Sequence, residues 1–206
     1  MGGKRATGRN TIRAVFSHFS QAYDLESLVM YIVFLMNYLC GCRVTEITSL
    51  VPSQVDFYLN LIKFRTKDAG SRKNTTKVIP LPPFLRSQLF LYTKLLEDCG
   101  HNYRCSSLLF RMCDGNPIPI TTSFVNDYYH KICIANGIEH FTSHCVRYQT
   151  QTDFTKEGLS FEFTNCVLSH YSYRDEIFNP YADISFVEFE KEYYRIANIL
   201  LQEYLA

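Results

Sequence analysis

No stretch of this chain approaches the ~18 consecutive apolar residues that a membrane-spanning helix requires. The longest candidate, Leu28 to Leu39, is interrupted by Asn37 and reads as a core helix. No apolar segment follows the opening Met1-Gly2-Gly3-Lys4-Arg5, so the pattern of a secretory signal is missing. Neither charge is in excess: 21 Lys and Arg against 20 Asp and Glu leave +1. The chain as a whole therefore has no field to gather a polyanion, and any nucleic-acid contact must rest on a local patch. The cysteines at 40, 42, 99, 105, 113, 133, 145 and 166 form no Cys-x-x-Cys pair and do not cluster with histidine at ligand spacing. Cys40, Cys133 and Cys166 sit inside apolar helical patterns, so the thiols read as reduced small hydrophobes and no metal is expected. Internal repeats and low-complexity linkers are also missing. What remains is 206 residues, 47% hydrophobic and 20% charged, the size and balance of a cored globular chain.

Residues 1–13 carry Lys4, Arg5, Arg9 and Arg13 among three glycines. They read as a flexible basic arm or a cloning remnant, ahead of a single domain over 14–206. Asp24 at a cap position opens an apolar helix over 24–40, and a short helix runs from Arg43 to about Leu50 before Pro52. The period then changes. Val55–Tyr58, Leu61–Arg65 and Thr76–Leu81 read as a three-stranded antiparallel meander. Helices follow over 82–99, 121–136, 142–157, about 161–169 and 184–205, several stopped by glycine. The expected class is α+β, mainly helical with one small sheet.

Two blocks carry chemistry. Gly41-Cys42-Arg43-Val44-Thr45-Glu46 places an Arg-x-x-Glu after the apolar helix, and His144-Cys145-Val146-Arg147 puts a histidine and an arginine on one helix face. Downstream come Leu168-Ser169-His170 and Tyr181. Two arginines, two histidines and a tyrosine suit work on a phosphodiester. A planar guanidinium meets two phosphate oxygens at once and stays charged, which makes Arg43 and Arg147 the clamp candidates. A basic patch supports this: Lys63, Arg65, Lys67, Arg72, Lys73 and Lys77 lie within fifteen residues, suited to phosphate contacts that position without reading sequence.

The ordered set resembles the catalytic domain of the tyrosine recombinase (phage integrase) family. Cys40-Gly41-Cys42-Arg43-Val44-Thr45-Glu46-Ile47 is similar to the family's Thr-Gly-Leu-Arg-x-x-Glu-Leu. His144, Arg147, Gly158 and Leu168-Ser169-His170 follow its His-x-x-Arg, Gly, Leu-Gly-His pattern, with Ser169 where the family has glycine. Val78-Ile79-Pro80-Leu81 matches the end of the family's hairpin. The resemblance implies a mainly helical DNA breaking-rejoining domain and assigns roles. Tyr181 is the nucleophile, with Tyr171 and Tyr173 as nearby alternatives. Lys67 is the general acid, with Lys73 and Lys77 as alternatives in the same hairpin. Arg43 and Arg147 hold the phosphoryl oxygens, His144 acts as base or positions the nucleophile, His170 bonds the phosphate, and Glu46 orients its surroundings. No cofactor or metal is expected, because the arginines take the metal's place.

The expected product is a 3′-phosphotyrosine link on double-stranded DNA, made by a site-specific recombinase that assembles on paired half-sites as a tetramer, inside a cell and away from membranes. A type IB topoisomerase-like relaxation, or an idle DNA-binding module of the same fold, are the alternatives. The stripe Phe186, Phe189, Tyr193, Ile196, Ala197, Leu200 and Leu201 bears on the choice. Recombinases commonly dock such a helix on a neighbouring protomer; otherwise it packs on its own core. The helical domain that usually precedes the catalytic one is not seen, so the chain reads as a catalytic fragment or a short member.

Overall fold

A computed structural model describes residues 6–21, 24–67, 74–100, 107–168 and 186–205. In chain order the helices are α1 (Arg9–Ser20), α2 (Leu25–Tyr38), α3 (Val44–Thr48), α4 (Pro83–Asp98), α5 (Thr122–Asn136), α6 (Ser143–Lys156), α7 (Phe161–Val167) and α8 (Phe186–Leu205). The strands are β1 (Val55–Asp56), β2 (Leu61–Lys67), β3 (Asn74–Pro80), β4 (Phe110–Cys113) and β5 (Asn116–Pro119). The mainly helical α+β reading holds.

The fold is organised by α2. Asp24 caps it, its carboxylate accepting from the Ser27 amide at 2.9 Å. Val29, Met30, Ile32, Val33, Phe34, Leu35 and Met36 are all fully buried, so this helix has no solvent stripe and lies in the centre. Helix α1 lays Ile12, Val15, Phe16 and Phe19 against it. Phe16 stacks on Tyr204 at 5.4 Å between centroids and meets Phe34 edge-on at 5.3 Å. The core is rich in tyrosine: Tyr38, Tyr92, Tyr129 and Tyr193 have no exposed surface. No helix among the described residues is long and apolar enough to cross a membrane.

Helix α1 corrects the expectation of a flexible arm through Arg13. Arg9 opens the helix, and its guanidinium donates to Asp153 at 2.9 Å, Glu157 at 2.6 Å and Glu203 at 2.9 Å. Asp153 is fully buried and also accepts from Tyr38 Oη at 2.8 Å and Gln149 Nε2 at 2.9 Å. A basic residue that reads as solvated is here the counter-charge of a buried carboxylate.

Helix α8 packs in cis. Phe189, Tyr193, Ile196, Ala197 and Leu200 have no exposed surface within the single chain, Tyr193 Oη donates to the Leu39 carbonyl at 3.1 Å, and Tyr194 Oη donates to Leu81 at 3.2 Å. Within the single chain the stripe is covered by its own core, the second of the two arrangements the sequence allowed.

The meander forms as expected, antiparallel in the order β1-β2-β3. Its register sets Lys63 opposite Val78 and Phe64 opposite Lys77. A second hairpin, β4–β5, turns through Asp114-Gly115, whose φ values of 50° and 78° are those of a primed two-residue turn.

Candidate active site

Arg43 stands at the N-cap of α3, one turn ahead of Glu46. Glu46 Oε2 accepts from the Arg43 amide at 2.8 Å, satisfying a donor at the helix start, and Oε1 accepts from Arg43 Nη1 at 2.9 Å. Nη1 also donates to Thr66 Oγ1 on β2 at 3.1 Å. The guanidinium is thus aimed from one edge while its side chain stays 38% exposed. Burial alone would raise the Glu46 carboxyl. The Lys77 charge, the Thr66 hydroxyl and the Arg43 amide outweigh it and hold the group below the ordinary glutamate value.

Arg147 lies in the second turn of α6, which Thr142 caps through the Cys145 amide. Its side chain is buried, Nη1 donating to the Gly41 carbonyl and Nη2 to the Leu168 carbonyl. Burial and then the like charge of Arg43 lower its basicity, with Glu46 opposing. The two arginines therefore sense each other across one site. His144, one turn earlier, is exposed and sets its ring edge-on to Tyr148 at 4.7 Å.

The backbone beneath is tightly drawn. Gly41 has φ +55°, and a Cβ there would come within 3.0 Å of the Val167 carbonyl oxygen. Only glycine allows the loop after α2 to approach the end of α7 this closely.

The strand pleat sorts the basic patch. Ile62, Phe64 and Thr66 point inward while Lys63 and Arg65 are exposed, as phosphate contacts require. Lys77 is a correction. It shares the inward phase of Ile79 and faces Phe64, so its ammonium lies inside, donating to the carbonyls of Cys40 at 2.9 Å and Val167 at 3.0 Å. It neither meets solvent nor can serve as a surface phosphate contact. The period-two alternation with Ile79 was the signal that could have placed it; nothing comparable marks Thr66 as a partner of Arg43. Lys67 is the last residue of β2, its backbone opposite Asn74. Arg72, Lys73, Tyr171, Tyr173, His170 and Tyr181 lie outside the described residues. Among the described residues no three His, Cys, Asp or Glu side chains gather as a metal set.

The arrangement described, with a half-exposed oriented guanidinium beside a buried one and a histidine a turn away, is suited to an anion with several oxygens. Among solved structures, the integrase from mycobacterium phage Brujita superposes with a TM-score of 0.65 at 13% identity, covering 95% of this chain and 59% of its own length. The XerA recombinase gives 0.62 at 18% identity, covering 93% of this chain and 64% of its own. The Tn1549 transposon integrase, solved in complex with transposon right end DNA, gives 0.62 at 12% identity, covering 100% of this chain and 68% of its own. At these identities the likeness is one of fold, and the chain spans less than two thirds of the first two. No curated protein sequence gives a significant match. The sequence profile of the phage integrase family, however, matches residues 10–186, from α1 to the first residue of α8 and across every motif described above. With that profile over most of its length and the fold of integrases and recombinases around the Arg43–Arg147 site, the chain belongs to the phage integrase family.

Proposed function

We propose that the chain is a tyrosine-type site-specific recombinase that cuts and rejoins double-stranded DNA inside a cell. The observation that carries this reading is the pairing of the two arginines: Arg147 donates to the Gly41 carbonyl two residues before Arg43, whose own guanidinium is held by Glu46 and Thr66. Two such cations are a favourable arrangement when an anion sits between them. In this reading the Tyr181 hydroxyl oxygen attacks the scissile phosphorus. The P–O bond to Tyr181 forms, the bond to the 5′ oxygen breaks, and a 3′-phosphotyrosine remains. The tyrosine proton passes to a base, for which His144 is the candidate, and Lys67 protonates the departing 5′ oxygen. Arg43 and Arg147 hold the non-bridging oxygens, His170 bonds one of them, and Glu46 keeps Arg43 aimed. Lys63 and Arg65, with Arg72 and Lys73, rest on flanking phosphates. Rejoining reverses the steps with a new 5′ hydroxyl, so the bond energy is conserved and no cofactor is called for. Copies of the chain pair on half-sites, four to a synapse.

A nicked duplex that loses its leaving strand traps the covalent product. The wild type should form an adduct mapped to Tyr181. Tyr181→Phe should abolish it while leaving DNA affinity within about threefold, since no phosphate-binding cation is removed. An adduct that persists in this variant, or maps to Tyr171 or Tyr173, would move the nucleophile.

The cis packing of α8 favours one second reading, relaxation by a monomer, because the stripe that would join copies is occupied. Relaxation of supercoiled plasmid without strand exchange between paired sites would select it.

A further inference from the structure

We propose that Lys77 is a positioning residue of the strand-transfer site: its ammonium registers the loop that carries Arg43 against the end of α7, where the chain continues toward His170. The proposal rests on the recombinase reading above. Lys77 is 3% exposed at its side chain, and its Nζ lies 3.9 Å from Glu46 Oε2 and 5.2 Å from the centre of the Phe64 ring. Two of its three donors go to the carbonyls of Cys40 and Val167. Arg147 makes the same tie one residue further along both segments, to Gly41 and Leu168. The two cations form a two-rung ladder between the loop after α2 and the last residues of α7, drawn tight where Gly41 meets Val167.

A buried cation is a poor source of stability, and well-packed hydrophobic replacements commonly equal or exceed it. Stability alone does not call for lysine on the inward face of β3. What an ammonium supplies, and an apolar side chain does not, is a directional tie between carbonyls of two distant segments. The division of labour follows. Arg147 has five donors and is needed by the substrate, whereas Lys77 is sealed from it. Lys77 therefore keeps the register while Arg147 engages a phosphate. Through Glu46 it also bears on Arg43: those two cations share one carboxylate, while Lys77 and Arg147 share one pair of backbone segments.

The test compares the full chain with Lys77→Met and Lys77→Arg. Cleavage of the nicked trapping substrate at saturating DNA should fall by about a hundredfold in Lys77→Met, the size expected when reacting groups are displaced by an ångström. DNA affinity should stay within about threefold, because no exposed cation is lost. Lys77→Arg should recover the rate to within about tenfold, its donors reaching the same carbonyls. Without DNA, hydrogen exchange in Lys77→Met should quicken in peptides covering 40–43 and 165–168 together and stay unchanged in α4 and α5. A Lys77→Met variant that cleaves at the wild-type rate, or loses only affinity, overturns the positioning role, as does an arginine variant no better than methionine. Unchanged exchange in either peptide removes the tie itself. Should Lys77→Met not fold, Lys77→Gln replaces it under the same criteria. Wild-type protein that makes no adduct on any duplex overturns the recombinase reading instead, and the exchange measurement still decides whether Lys77 joins the two segments.

Discussion

A guanidinium that is to receive a phosphate has to be held without being used up. Arg43 meets this condition: Glu46 and Thr66 engage Nη1 and leave its other donors to the half-exposed side. Arg43→Ala and Arg147→Ala should each slow adduct formation by about a hundredfold or more, the usual consequence of losing a preorganised charge. Lysine at position 43 should restore only part of the rate, because a point charge cannot replace the fork; full recovery in the trapping assay would exclude bidentate contact. Glu46 gives a pH test. Its folded carboxyl lies below the ordinary value, so its stabilising contribution is present above the unfolded glutamate value, about 4.3, and is lost as pH falls through the folded one. Glu46→Gln should melt well below the wild type at pH 7, and the gap should narrow as the solution is acidified. A gap that is independent of pH would show that Glu46 is not ionised in its site.

At the scale of elements, α8 is the member for which the sequence left two packings open, and within the single chain it lies on its own core. Phe189 is fully buried beside Phe163 and Tyr193. Phe189→Ala should therefore destabilise the chain by about 3–5 kcal/mol in urea unfolding, as deletion of a buried aromatic does. Removal of residues 186–206 should abolish cooperative thermal unfolding; a truncated chain with a sharp transition would show that the stripe is dispensable to the core. Most other elements were legible. The long apolar run gave α2, proline and glycine punctuation gave α4 and α5 within a residue, and alternation gave β2 and β3. The misses have physical causes. Arg9 and Arg13 masked α1, whose evidence was the spacing of Val15, Phe16 and Phe19 and whose counter-charges lie nearly two hundred residues away at Glu203. The β4–β5 hairpin is only four residues a strand, with Pro117 and Pro119 in it, although Asp114-Gly115 signalled the turn. The arginines and Glu46 were readable as motif residues. That Lys77 lies inside was not, since composition assigns lysine to the surface and only its phase with Ile79 says otherwise.

For the molecule as a whole, the first and last helices close the shell together: α1 meets α8 through the Phe16–Tyr204 stack and through Arg9 with Glu203. Between them lies a core in which phenols do much of the filling. Burial moves the pKa of Tyr38, Tyr129 and Tyr193 far above the free value, with nearby carboxylate or thiol groups adding to it at Tyr38 and Tyr193. The sign is that of a weak acid kept neutral by folding. The contribution is intact below the unfolded phenol value, about 10, and drains away as pH rises above it. The consequence is optical. The chain has 15 tyrosines and no tryptophan, so the long-wavelength end of its near-ultraviolet spectrum, beyond the weak phenylalanine band, belongs to the phenols. Alkaline titration should show the buried set changing colour in one steep step, simultaneous with loss of the helical circular dichroism signal. A gradual phenolate band that rises while the helices persist would mean that solvent reaches these rings in the native state.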